Sequence, residues 1–175
     1  ERCNEILKRL SLDPNQEDDF IDVNLSIRDY LREIITSFKE TSDKEFIFNF
    51  DQDSNSKKIS KSIEIVYGLR NFIGNANKFC TKKVFITLKS DNENTEVCIE
   101  DDGKGYPNDI ISKIGEPYLK SLGSSNKEKT GLGLGIFIGK TLLEKNFASV
   151  NCWNSKTRSG AEVVIQWKNS KLFKI

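Results

Sequence analysis

KTGLGLGIFIGKTLLEK, residues 129–145, decides the fold largely by what it fails to match. Gly131, Gly133 and Gly135 lead straight into an apolar helical stretch, and free amides at a helix N-terminus attract anions. Two phosphate-binding motifs compete for such a run. The dinucleotide fingerprint GxGxxG needs glycine three places after its second glycine. Counted from Gly131 that place is Ile136, and from Gly133 it is Ile138, so both frames fail. The P-loop pattern GxxxxGK[ST] is nearly met by Gly139, Lys140 and Thr141, but its first glycine would fall on Leu134. Gly139 also lies inside the expected helix rather than at its start. Lys140 and Thr141 are therefore read as helix surface.

The segment upstream, residues 102–131, holds two of the three prolines and five of the eleven glycines, around a polar centre SLGSSNKEK. A loop this long inside a compact domain is usually functional. Before it stands IEDDGKGYP, residues 99–107. A strand there delivers Asp101, and Gly103 and Gly105 permit tight backbone geometry and close approach of a flat ligand. A carboxylate held at a strand end can accept a hydrogen bond from an exocyclic amine such as that of adenine. The plainer reading is a turn after a strand, with glycines for positive φ.

Further upstream, GLRNFIGNANKFC spans residues 68–80. Asn71, Asn75 and Lys78 recur at spacings of four and three, so they share one helix face while the apolar residues point elsewhere. Two amides and an ammonium suit a metal-bound polyphosphate. Asn75 offers a carbonyl oxygen to Mg²⁺, a hard cation that shares its shell with phosphate and water, and Lys78 offers a point charge to a phosphate. Alone, the face could equally be an ordinary solvated one. The order of the three patches is far more specific than any one of them.

Around these patches the pattern alternates in period. Residues 1–12 read as a helix ended by Asp13-Pro14, with an acidic connector from Asn15 to Asp19. FIDVNL (20–25) reads as a strand. Ser26 with Asp29 resembles a capping box that opens a helix through Phe38. EFIFNF (45–50) reads as a strand, and Asp51 to Ser60 as a polar loop. Lys61 to Cys80 reads as a helix. VFITL (84–88) and VCIED (97–101) flank SDNEN as an antiparallel hairpin. A helix from about Leu132 to Lys145 and strands ASVNCW (148–153) and AEVVIQW (161–167) follow. The expected fold is α/β: a two-layer sandwich with helices on one face of a mixed, mostly antiparallel sheet.

Composition narrows the function. The 175 residues carry 27 basic and 26 acidic side chains, which leaves no overall field for nucleic acid or an anionic membrane. No apolar run approaches the ~20 residues needed to span a bilayer. With no methionine, not even at the start, the sequence reads as a piece of something longer. Histidine is absent, so no Ser-His-Asp triad, His-liganded metal or His base lies within it. Cys3, Cys80, Cys98 and Cys152 form no CxxC pair, and read as reduced, buried thiols.

The sequence Asn helix, DxGxG, long loop, GLGLG resembles the GHKL superfamily of ATPases and kinases, with its Bergerat ATP-binding fold. Its spelling is similar to the catalytic domain of sensor histidine kinases. GEPYLKS and GLGLGIFIGKTLLEK look closest to the RegB/PrrB redox-responsive branch. The resemblance covers residues 20–168. Residues 1–13 resemble the end of a dimerisation-hairpin helix, leaving 14–175 as the catalytic domain. It implies Asn75 on Mg²⁺, Asn71 and Lys78 on the phosphates, and Asp101 on the adenine amino group beside Gly103 and Gly105. It also implies an ATP lid from about Glu116 to Thr130, with Tyr118 packing it. Gly131, Gly133 and Gly135, with Leu132 and Leu134 between them, would turn backbone amides to the phosphates. Phe79 stands where many members have Tyr, and Ala161 where many have Thr.

Family members that hydrolyse ATP carry a Glu four places before the metal Asn. Here that place is Asn71, and an amide has no useful basicity near neutral pH. The resemblance therefore implies transfer of the γ-phosphoryl group from Mg-ATP to a histidine on a dimerisation hairpin outside this sequence, in a homodimer. A response-regulator receiver domain would take the phosphate next. It also implies a cytoplasmic domain of a bacterial inner-membrane protein. A GHKL ATP hydrolase, an anti-sigma-type serine kinase and a degenerate binding module are the alternatives. Cys3 has two readings: a redox-control cysteine, as in that branch, or a small apolar residue on a packing stripe.

Overall fold

Ser26 starts the first helix as a true capping box. Its Oγ accepts the Asp29 amide at 3.2 Å, and Asp29 Oδ2 accepts the Ser26 amide at 3.2 Å. Two otherwise orphaned donors are thereby satisfied, and the shorter Asp reaches as Glu would. The helix, α1, runs Ile27–Lys39 in the computed structural model, which describes residues 24–51, 58–60, 62–116 and 134–173. The expected helix over 1–12 and most of the strand over 20–25 lie outside the described residues.

The second helix, α2 (Ile63–Phe79), is capped by Ser62, whose Oγ accepts the Ile65 amide at 3.3 Å. Ile65, Leu69, Phe72, Ile73 and Ala76 form its buried stripe. Full burial of each large side chain contributes roughly 1.5–3 kcal/mol. The third helix, α3 (Leu134–Lys145), packs along α2 through Gly139, which faces Phe72 and Asn71.

Five strands form the main sheet: β2 (Glu45–Phe50), β4 (Lys83–Ser90), β5 (Asn94–Asp101), β6 (Ala148–Asn154) and β7 (Ala161–Lys168). Their order is β2-β4-β5-β7-β6. The β2–β4 pair is parallel, as its crossover through α2 allows, and the other pairs are antiparallel. Alternation in β5 buries Thr95, Val97, Ile99 and Asp101 on the helix side, and β7 buries Ala161, Val163, Ile165 and Trp167 there. Trp167 is fully buried and donates its indole N–H to the Asn146 carbonyl at 3.1 Å. This is the expected two-layer sandwich.

One correction concerns the polar stretch 51–60. It contains a two-residue strand, β3 (Ile59–Ser60), paired antiparallel with β1 (Asn24–Leu25). Two residues are too few to show a period, but Ile59 is 1% exposed and anchors the pair in the core. A short helix, α4 (Asn169–Leu172), ends the described chain. Among the described residues no helix is long and apolar enough to cross a membrane.

Candidate nucleotide site

Alternation along β5 turns Asp101, its last residue, inward, where it is 2% exposed. Burial pushes its carboxyl above the usual range, while hydrogen bonds from the Gly103 and Ala161 amides pull the other way. The Gly103 amide lies 2.8 Å from Oδ1. Two backbone segments close on this carboxylate. A Cβ on Gly103 would sit 2.2 Å from the Phe79 carbonyl, and one on Gly160 would sit 2.0 Å from the Asp101 carbonyl and 2.3 Å from Oδ1. Glycine is needed at both places for close approach, since neither has a positive φ. The left-handed residue of the β6–β7 turn is Ser159 (φ 67°), next to Gly160.

That turn is itself tied to β5. Ser155 Oγ donates to Glu100 Oε1 at 2.8 Å, and Arg158 Nε donates to Glu100 Oε2 at 3.2 Å. The Arg158 guanidinium also stacks over Phe85, 3.7 Å from the ring centre. Asp102, facing the other way from Asp101, fixes the α2–β4 junction. Its Oδ1 accepts the amides of Thr81, Lys82 and Lys83 at 2.8, 2.9 and 3.0 Å. Burial works against the charged form, but the amides of Lys82, Lys83 and Thr81 outweigh it and hold this carboxyl below the usual range. Gly160 and Asp102 were not singled out from sequence. In the sequence Gly160 falls in the short stretch between the strands expected over 148–153 and 161–167, and only the β5–β7 pairing shows what it approaches.

The polar face of α2 lies where expected. Asn71 and Asn75 are half-buried and Lys78 is exposed. Asn71 Nδ2 donates to the Tyr67 carbonyl at 2.8 Å, which fixes its amide orientation. Its Oδ1 lies on the α3 side, 3.8 Å from where a Cβ on Gly135 would stand. The structure therefore brings Asn71 and Gly135 together at the start of α3, where Leu134 is the first helical residue. The Asn75 side chain has no hydrogen-bond partner among the described residues. Lys78 Nζ rests over Phe79, 5.1 Å from the ring centre, and Phe79 is 48% exposed. Phe79 abuts Gly103, so the C-terminal end of α2 meets the Asp101 turn. Tyr118, Thr130, Gly131, Leu132 and Gly133 lie outside the described residues, as does Cys3.

Among the described residues no cluster of three or more His, Cys, Asp or Glu could hold a metal. A cation here would need oxygens from a ligand besides an amide carbonyl, which suits Mg²⁺ shared with phosphate. The described cysteines are poor thiolates. Burial raises the Cys80 thiol, and pushes Cys98 up to about 12 and Cys152 to about 11. Lys140 is half-buried on α3, beside Gly115, with Nζ 3.8 Å from Glu144, while Thr141 is exposed.

The family described as "Histidine kinase-, DNA gyrase B-, and HSP90-like ATPase" matches residues 60–171. The sensor histidine kinase RegB of Cereibacter sphaeroides is 33% identical over 135 residues, covering 69% of this chain and 29% of RegB. The chain thus spans under a third of that relative. The mycobacterial sensor histidine kinase MprB superposes with a TM-score of 0.68 at 20% identity, over 83% of this chain and 97% of that one. The catalytic domain of histidine kinase ThkA gives 0.66 at 20% identity, over 83% and 95%. These two similarities speak to the fold.

Proposed function

This chain belongs to the histidine kinase-, DNA gyrase B- and HSP90-like ATPase family, and we propose that it is an ATP-binding kinase domain that binds Mg-ATP and passes the γ-phosphoryl group to a histidine on a dimerisation hairpin. The observation that carries the nucleotide reading is the buried Asp101 carboxylate, enclosed by Gly103 and Gly160 at the end of α2's polar face. Its acceptor oxygens match the exocyclic amine of adenine, and the glycines let the backbone close around the carboxylate. Asn71 and Lys78 orient the phosphates, and Asn75 supplies an oxygen to the metal. When bound, Mg²⁺ neutralises charge on the phosphates. Gly131, Gly133 and Gly135 add backbone amides, with Thr130, Leu132 and Leu134 in the same run, and Tyr118 packs the lid.

Asn71 supports transfer over hydrolysis. Its amide cannot take a proton from water, and one of its hydrogens is spent on the Tyr67 carbonyl. Phosphoryl transfer needs mainly positioning and charge stabilisation, which amides and an ammonium supply. The partners proposed are the hairpin, carried by residues that include 1–13, a second copy of the full protein, and a response-regulator receiver domain. The setting proposed is the cytoplasmic side of a bacterial inner membrane. The redox role that the RegB-like resemblance implies is proposed for Cys3, while burial raises the thiols of Cys80, Cys98 and Cys152.

Titration of the domain with a non-hydrolysable ATP analogue tests the nucleotide reading. Saturable binding that weakens without Mg²⁺ and in Asn75→Ala supports it. A folded protein that does not bind would refute it.

A further inference from the structure

Strand β6 ends at Asn154, but its side chain extends the pairing. Oδ1 accepts the Tyr106 amide at 2.6 Å, and Nδ2 donates to the Tyr106 carbonyl at 3.0 Å. Because a backbone amide can only donate and a carbonyl can only accept, both ends of the carboxamide are fixed. Two bonds to one residue set direction as well as position. Residues 104–107 belong to no helix or strand, so this bracket replaces a ladder.

The bracket shapes what lies on either side. Gly105, just before it, is left-handed (φ 71°), and a Cβ there would stand 2.5 Å from Asn154 Oδ1. Position 105 thus needs glycine for its φ and for its approach to Asn154. Tyr106 turns its ring inward, and its hydroxyl is buried beside Cys152 with no nitrogen or oxygen partner. Past it, the Pro107 carbonyl accepts the amides of Ile110 and Ile111 at 3.0 and 3.1 Å, opening a 3-10 turn at Ile111–Lys113. The segment is therefore held at one end by Asp101 on Gly103 and in its middle by Asn154.

We propose that Asn154 is a positioning residue for the nucleotide site, its side-chain amide bracketing Tyr106 so that the segment from Gly103 to Pro107 is held in its ligand-ready path. This rests on the Mg-ATP reading of Asp101. Asn154 does not touch the carboxylate. It acts by limiting the conformations of the wall that the base meets, and so lowers the ordering that binding requires. Asn154→Ala removes both bonds. Asn154→Asp keeps an acceptor for the Tyr106 amide but sets a second acceptor against its carbonyl.

The test compares wild type, Asn154→Ala, Asn154→Asp and Val150→Ala, the last a buried β6 change away from the bracket. Binding of a non-hydrolysable ATP analogue, thermal midpoint and amide exchange at Tyr106 are measured in each. The expected result is about tenfold weaker binding in both Asn154 variants. The Tyr106 amide loses protection in Asn154→Ala while β5 and β7 keep theirs. Val150→Ala loses at least as much stability and binds within about twofold of wild type. Asn154 variants that bind like wild type, or a Val150→Ala loss of binding as large as theirs, would overturn the proposal. A wild type that does not bind refutes the Mg-ATP reading instead, and Tyr106 exchange in the nucleotide-free protein then still reports whether the bracket holds the segment.

Discussion

Gly160→Ala should damage the site and the fold together. The new methyl carbon would lie 2.0 Å from the Asp101 carbonyl, so it needs about 1.4 Å of displacement to reach an ordinary 3.4 Å contact. Neither neighbour can give easily. The carbonyl belongs to β5 in the middle of the sheet, and Oδ1 is held by the Gly103 amide. Overpacking of this kind costs about 1–3 kcal/mol. Moving the start of β7 also breaks the Ala161 amide's bond to the carboxylate, and bonds to charged groups contribute about 1.5–3 kcal/mol. Since the two effects share one shift, a total of about 2–5 kcal/mol is expected rather than their full sum. Urea denaturation measures the stability loss, and titration with an ATP analogue should show binding weakened at least tenfold. A variant within about 0.5 kcal/mol of wild type that binds normally would refute the claim that Gly160 is there for close approach.

Asp101→Asn keeps the shape but replaces an acceptor oxygen, so affinity for the analogue should fall by about 1.5–3 kcal/mol, or roughly tenfold to over a hundredfold, by calorimetry. The raised Asp101 carboxyl also predicts that wild-type binding weakens on acidification at a pH above the ordinary carboxylate range, and that Asp101→Asn lacks this step. Asp102 has the opposite sign. Its depressed carboxyl contributes stability that is present above the usual carboxylate range and lost as pH falls through its folded value. Asp102→Asn should therefore cost about 1 kcal/mol at pH 7, kept small by solvent screening, with the gap closing in melts as pH falls below the usual carboxylate range. Thiol alkylation of the native protein at pH 7 should be slow at Cys98 and Cys152, whose thiolate fractions are roughly 1 in 10⁴ or less, and fast after unfolding. On non-reducing gels a disulfide-linked dimer should appear and vanish in Cys3→Ser; a dimer surviving in the mutant would clear Cys3.

Local pattern carried most of the architecture. The stripe Ile65, Leu69, Phe72, Ile73 and Ala76 marks α2, alternation marks β5 and β7, and Ser26 with Asp29 marks the start of α1. The polar face of α2 and the DxGxG turn were legible for the same reason, because each lies on one continuous element. What stayed hidden depends on neighbours distant in sequence. Gly160 looks like any turn glycine until β7 pairs with β5, and Asn154 looks like a strand end until Tyr106 arrives beside it. The end of α3 falls at Lys145, as expected, but its cap is unusual. Phe147 takes the left-handed position after the helix (φ 63°) and stays 59% exposed, where glycine or asparagine is usual.

The most direct test of the central claim is phosphoryl transfer. A chain carrying this domain and its histidine-bearing hairpin is incubated with γ-labelled Mg-ATP, and the protein-bound phosphate is assayed for stability in acid and base. The account predicts label on the hairpin that acid removes and base leaves, with little free phosphate released and transfer reduced by Asn75→Ala. Acid-stable label would indicate a serine kinase, and rapid release of free phosphate without labelled protein would indicate a hydrolase; either result contradicts the account.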